Sequence, residues 1–253
     1  MGIVFKTLEV LLPALATGVA ITLVSTVLSI ILAMMLAIPA GLGRLSKSPI
    51  IRSISAFYVE TIRGTPLLFQ LLVWVFAVKL LLLVLFDFNA DTVVYSLLTA
   101  LNSNALFPVS TGVSGFVFAI IALSVNYGAY LAEVVRAGVL AVDQGQTEAA
   151  LSLGLSRFQV TRYVVLPQAL RIMIPPLTNN FITLVQDTSF FLTVGVWEMA
   201  LVVQTAVQAT SSPLIRWSLY AVELALYFVI CYSLATISRR FEKRLAVSTA
   251  GAH

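Results

Sequence analysis

The chain alternates between long apolar runs and short polar stretches. Residues 10–43 contain no charged side chain at all. About 20 predominantly apolar residues are enough to cross ~30 Å of hydrocarbon as a helix. The pattern predicts five such spans, over 11–43, 57–86, 113–135, 172–196 and 217–238, with Asp187 interrupting the fourth and Glu223 the fifth. The expected fold class is an all-α membrane protein of five transmembrane helices, forming a single domain over 1–253. Lys6 and Glu9 precede the first run, and no small-residue cleavage pattern follows a short apolar core. That run therefore reads as the first span and not as a removed signal peptide.

Composition agrees with the pattern. Sixty per cent of the residues are hydrophobic and 10% charged, against ~25% charged in an ordinary soluble domain. So few charges cannot clothe the surface of a soluble protein of this size.

The charges also orient the spans. Arg44, Lys47 and Arg52 follow the first; Arg136, Arg157, Arg162 and Arg171 follow the third; Arg239, Arg240, Lys243 and Arg244 form the tail. The connection from 87 to 112 holds two acids and no base, and the fourth connection holds Glu198 with a lone Arg216. Basic residues near span ends stay on the cytoplasmic side, so the amino terminus is expected outside and the carboxyl terminus in the cytoplasm. The basic balance is then a topology signal, and no nucleic-acid face is expected. In the outer connection, Asp91 is placed to cap a short helix over 91–98, either lying at the interface or docking an external partner.

Chemistry-bearing residues are sparse. The one cysteine, Cys231, sits in an apolar stretch and excludes an intramolecular disulfide, and the one histidine, His253, is the last residue. No HExxH, GxSxG or phosphate-binding GxxxxGK[ST] pattern occurs, which argues against an intramembrane enzyme and against ATP bound by this chain.

The region 137–171 is too polar for lipid. Helix-forming residues surround Glu148, Ala149, Ala150 and Leu151, and Leu155 lies four residues beyond Leu151, so a short helix would present one apolar edge. Gly154 suits a sharp turn. Leu166-Pro167 is expected to mark re-entry toward the fourth span, with the proline resetting the chain direction.

Glu148-Ala149-Ala150, three residues, Gly154, nine residues, then Val164-x-Leu166-Pro167 resembles the EAA signature of ABC-transporter permease subunits. Three further stretches resemble the polar amino-acid branch of that family: Arg63-Gly64-Thr65-Pro66-Leu67-Leu68 with Gln70; the run from Asn126-Tyr127-Gly128 to Arg136; and Leu166-Pro167-Gln168-Ala169-Leu170-Arg171. Asp187-Thr188-Ser189 fits as well, and the resemblance covers nearly the whole chain. Two departures stand out: Gln186 occupies a place where relatives often carry lysine, and the region 79–112 is longer than in compact relatives.

The resemblance implies a type I ABC importer permease in a bacterial cytoplasmic (inner) membrane. It implies a second permease subunit (another copy or a sister chain), two ATP-binding subunits that carry ATP and Mg, and an external solute-binding protein. The small-molecule substrate would be an amino acid. Glu148, Ala149, Ala150, Leu151, Gly154 and Leu155 would couple to the ATPase. An ion-coupled secondary transporter or channel is the alternative, although five spans divide into no repeated halves.

Substrate contacts are sought among polar groups at membrane depth. An acid near the bilayer centre costs ~2.5–3.5 kcal/mol on insertion scales, so it faces the bundle interior or a partner. Asp187, with Gln186, Thr188 and Ser189 beside it and Asn179 and Asn180 two turns earlier, could meet a substrate ammonium or form a structural pair within the dimer. Asn126, Gln70, Thr65 and Glu223 complete the candidate set. Glu133 and Arg136 read as an interfacial i,i+3 pair. Gly18, Thr22 and Thr26, four residues apart, read as a packing stripe.

Overall fold

The computed structural model describes residues 2–87, 89, 92 and 113–250, and the helix expected over 91–98 lies outside them except for Thr92. Helix α1 (Gly2–Gly43) is followed by α2 (Pro49–Arg63), α3 (Leu67–Phe86, with a π turn at Val73–Val78) and α4 (Val113–Leu140). Then come α5 (Gln144–Ser152), α6 (Arg157–Val194), α7 (Met199–Ala209) and α8 (Pro213–Ala250). No strand occurs among the described residues. Four helices are long and apolar enough to cross a membrane, and a fifth span results if α6 and α7, bent by 49° at their junction, count as one.

Helix α4 is the centre of the bundle and α8 its edge. In their most apolar windows 78% of α4 is buried, against 6% of α8. Helix α1 packs along α4 more extensively than any other pair, with Ile21, Ala33 and Ala37 against the core that also holds Ala119, Ala122, Leu123, Leu131 and Ala132. Small residues allow that approach: a Cβ on Gly41 would stand 2.5 Å from the Ala132 carbonyl oxygen. Within lipid, where tails are as apolar as leucine, such close packing is a main source of helix association. The Gly18–Thr22–Thr26 stripe does pack, and Gly18 meets the start of α7 at Met199. Thr22 adds polar contacts there, donating to Glu198 and accepting from the Met199 amide.

Several expected boundaries move. The run 57–86 is not one helix. Gly64 caps α2 and Pro66 precedes α3, because a residue before proline is driven out of the helical region. Helix α4 continues to Leu140, five residues beyond the expected end. Arg136 is tolerated inside it because Glu133 accepts from its Nε at 2.9 Å and also from Nη2. Pro167 does not reset the chain direction. It lies within α6, directly after the π turn Thr161–Val165, where the hydrogen-bond ladder is already displaced by one residue. Re-entry begins instead at Ser156, whose hydroxyl accepts from the Gln159 amide while the Gln159 side chain accepts from the Ser156 amide; this reciprocal cap starts the helix.

The fourth apolar run also ends differently. A 3₁₀ segment, Thr188–Val194, closes on Gly195 at φ 75°, and α7 sets out in a new direction. Glu198, in the connection after the fourth apolar run, is fully buried. Its carboxylate caps α7 by accepting from the amides of Ala200 and Leu201 at 2.8 and 2.9 Å, and it also accepts from Tyr227.

Candidate functional site

The break between α2 and α3 forms one wall of a cavity of about 480 Å³, and α4 and α6 form the others. Arg63, Thr65, Asn126, Tyr127, Asn180 and Asp187 bring polar groups to it. Three of the expected residues, Thr65, Asn126 and Asp187, therefore converge from three elements. The Tyr127 hydroxyl donates to the Asp187 carboxylate at 2.7 Å. Arg63 stands with its guanidinium carbon 5.3 Å from the centre of the Tyr130 ring, a cation–π arrangement that holds a positive charge at the cavity wall. One cavity thus carries a fixed cation and an acid, with amide and hydroxyl groups between them.

Gln70 lies behind this wall. Its amide nitrogen donates to the Ile62 carbonyl at 2.7 Å and to the Thr65 hydroxyl at 2.7 Å, and its amide oxygen accepts from Asn126 at 3.0 Å. These bonds satisfy backbone groups left open where the helix breaks. Gln70 therefore shapes the break and orients Asn126. The break is anchored from the other side by Tyr58, whose hydroxyl donates to the Val125 carbonyl at 2.7 Å. Burial pushes that phenol up to about 12, so it remains a donor across the accessible pH range.

The remaining expected residues face elsewhere. Thr188 is buried and donates to the Val185 carbonyl. Gln186, Ser189 and Glu223 line a second, more open hollow of about 410 Å³ with Tyr220 and Tyr227. Successive helical residues diverge by ~100°, which explains why Gln186 and Asp187 serve different spaces. Arg63, Tyr127, Tyr130 and Thr183 were not among the expected contacts. Arg63 and the two tyrosines belong to the motifs 63–68 and 126–136, whose signal was already visible.

At the other end of α6 stands α5. Asp143 caps it by accepting from the Gly145 amide at 2.6 Å. Glu148 and Ala149 are exposed and Ala150 is buried. Gly154 adopts φ 81° with open space around it, a conformation costly for residues bearing a Cβ. The apolar edge differs from the expected Leu151–Leu155 pair. Leu155 is half-buried, while Leu153, at 82%, and Phe158, at 73%, join Leu151 on the exposed side. An ion network lies nearby at the ends of α1, α2 and α4: Arg44 donates to Glu133 at 3.1 Å and to Glu60 at 3.3 Å. Glu133 thus serves Arg44 as well as the expected Arg136.

Known proteins resemble this chain along nearly its whole length. Residues 29–247 match the family described as binding-protein-dependent transport system inner membrane component. The glutamine transport system permease protein of Escherichia coli K12 is 33% identical over 236 residues, covering 93% of this chain and 94% of that protein. The L-cystine transport system permease protein of Bacillus subtilis 168 is 33% identical over 234 residues, with 92% and 87% covered. A crystal structure of an amino acid ABC transporter with histidines superposes with a TM-score of 0.76 at 29% identity, covering 95% of this chain and 98% of that one. An inward-facing methionine ABC transporter, at 19% identity and a TM-score of 0.67, shares the fold.

Proposed function

From the premise that this chain belongs to the family of binding-protein-dependent transport system inner membrane components, we propose that it is the permease subunit of an ATP-driven importer of polar amino acids. It is a multi-pass component of the bacterial inner membrane, surrounded by lipid, and forms half of the translocation pathway. The amino terminus lies outside and the carboxyl terminus in the cytoplasm. Its partners are a second permease subunit, two ATP-binding subunits that hold ATP and Mg, and an external solute-binding protein. ATP hydrolysis belongs to those partners.

The single observation that carries the substrate class is the pairing of Arg63 with Asp187 in one cavity. An amino acid brings a carboxylate and an ammonium on the same carbon. Arg63 receives the first and Asp187 the second, while Asn126, Thr65 and Asn180 supply neutral hydrogen bonds that vary with the side chain. A solute of one sign alone would leave one wall charge unmatched, so the cavity discriminates by electrostatic complementarity.

Coupling runs through α5 and α6. Glu148, Ala149, Ala150, Leu151, Gly154 and Leu155 form the handle, and Leu153 and Phe158 extend its exposed apolar surface. Helix α6 starts at Arg157, just after the Gly154 turn, and reaches Asp187 thirty residues later, about 45 Å along its axis. Movement of the handle by ATPase closure is transmitted along one helix to the acid in the cavity. The alternation is a rigid-body switch between two packed arrangements, each favoured by a different ligand state.

The test is ATP-dependent uptake in proteoliposomes holding the assembled complex. Polar amino acids should be taken up, and analogues lacking either the α-amino or the α-carboxyl group should not. Equal uptake of such analogues would overturn the assignment of Arg63 and Asp187.

A further inference from the structure

The hollow between α6 and α8 is separate from the Asp187 cavity. It is lined by Gln186 and Ser189 from α6 and by Tyr220, Glu223, Leu224 and Tyr227 from α8. Glu223 is the only charged residue between Arg216 and Arg239, and it stands ten residues into α8, about 15 Å along the axis. It forms no hydrogen bond or ion pair among the described residues. Among the described residues Glu198, of like sign, is coupled to it electrostatically, and its oxygens are already occupied by two amides, Thr22 and Tyr227. Arg216, on the same helix, is turned to the Thr210 carbonyl. An ionisable side chain at membrane depth with no partner in its own bundle calls for an outside one.

The rest of the lining specifies that partner. The Tyr220 hydroxyl donates to Gln204 at 3.1 Å and the Tyr227 hydroxyl to Glu198 at 3.2 Å. Both tyrosines line the hollow with their hydroxyl protons already committed. A carboxylate flanked by aromatic rings attracts an organic cation, through its charge and through the negative faces of the rings. The Gln186 amide and Ser189 hydroxyl supply acceptors for N–H groups. We propose that this hollow is a second site, binding the ammonium group of a small organic solute with Glu223 as counter-ion, beside the Asp187 cavity and independent of it.

The experiment is a ligand-observed NMR titration of the full chain in lipid nanodiscs with tert-butylammonium, using tert-butanol as its neutral isostere and empty nanodiscs as baseline. Saturable binding of the amine and none of the alcohol is expected. Glu223→Gln should weaken the amine at least ten-fold and Tyr220→Leu several-fold, while Asp187→Asn should leave it within two-fold. Carbodiimide labelling of Glu223 in the unaltered chain gives a second readout should Glu223→Gln not fold, and the amine should slow that labelling several-fold.

Unsaturable amine binding, an unchanged affinity in Glu223→Gln, or labelling indifferent to amine would overturn the proposal. So would loss of the amine site in Asp187→Asn. A change of oligomeric state in Glu223→Gln with amine affinity intact would place Glu223 at a subunit contact and also overturn it. Uptake that survives Asp187→Asn would count against the first cavity's role and leave the second site standing.

Discussion

The hydroxyl of Tyr127 on α4 donates to the carboxylate of Asp187 on α6 at 2.7 Å. This bond joins the most buried helix of the bundle to the helix that begins just after the Gly154 turn. A hydrogen bond to a charged group contributes ~1.5–3 kcal/mol. Tyr127→Phe and Asp187→Asn should therefore be non-additive in thermal stability, with a coupling of at least ~1 kcal/mol in a double-variant cycle. Additive effects would show that the bond contributes nothing.

Asp187→Asn keeps the size and one acceptor of the side chain but removes its charge. Assembly with the partner subunits should persist, and ATP-driven amino-acid uptake should fall at least ten-fold. The comparison to make is co-purification against uptake in the same preparation.

Gly154 sits at φ 81°, where a Cβ costs roughly 1–2 kcal/mol. Gly154→Val should distort the turn after α5 and reduce recovery of the ATPase in pull-downs. Asparagine tolerates the left-handed region, so Gly154→Asn should retain most of the association. Equal behaviour of the two variants would show that the turn plays no part in binding the ATPase.

Gly41 faces backbone, with its virtual Cβ 2.5 Å from the Ala132 oxygen, whereas the nearest neighbour of a Cβ on Gly115 is 3.8 Å away. Overpacking costs ~1–3 kcal/mol. Gly41→Ala should lower the melting temperature by several degrees and Gly115→Ala should hardly change it, as read by differential scanning fluorimetry in detergent.

Glu133 holds Arg44 and Arg136 together at 24% side-chain exposure. Replacing it by glutamine leaves two guanidinium groups facing each other. The loss should be about 1 kcal/mol or less at low salt, given the solvent access, and should shrink further at high salt. Chemical denaturation at two ionic strengths separates this from a packing defect.

Much of the site was legible because membrane depth makes polar residues conspicuous. Asp187, Asn126 and Thr65 stand out from apolar surroundings, and they do converge. Which space each residue faces was not legible. Gln186 and Asp187 are neighbours in the chain, yet the rotation per residue sends them to different hollows. Tyr127 was visible only as part of a motif, because its bond to Asp187 depends on where α6 crosses α4. The cap made by Glu198 was hidden for a similar reason: an isolated acid between apolar runs reads as surface until the bend at Gly195 buries it. Hydropathy also merged α2 with α3, since Gly64 and Pro66 interrupt the backbone without interrupting the apolar character.

The π turn at Thr161–Val165 lies between the Gly154 turn and Asp187. Such a turn is equivalent to one surplus residue in an α-helix. Deleting a single residue there would let the helix relax to regular winding with its two ends in nearly the same angular phase, whereas a deletion in the regular helix on either side would swing them by about 100°. The π turn is thus the one stretch of α6 where a residue of chain length can be lost while the angular phase between the Gly154 turn and Asp187 is kept.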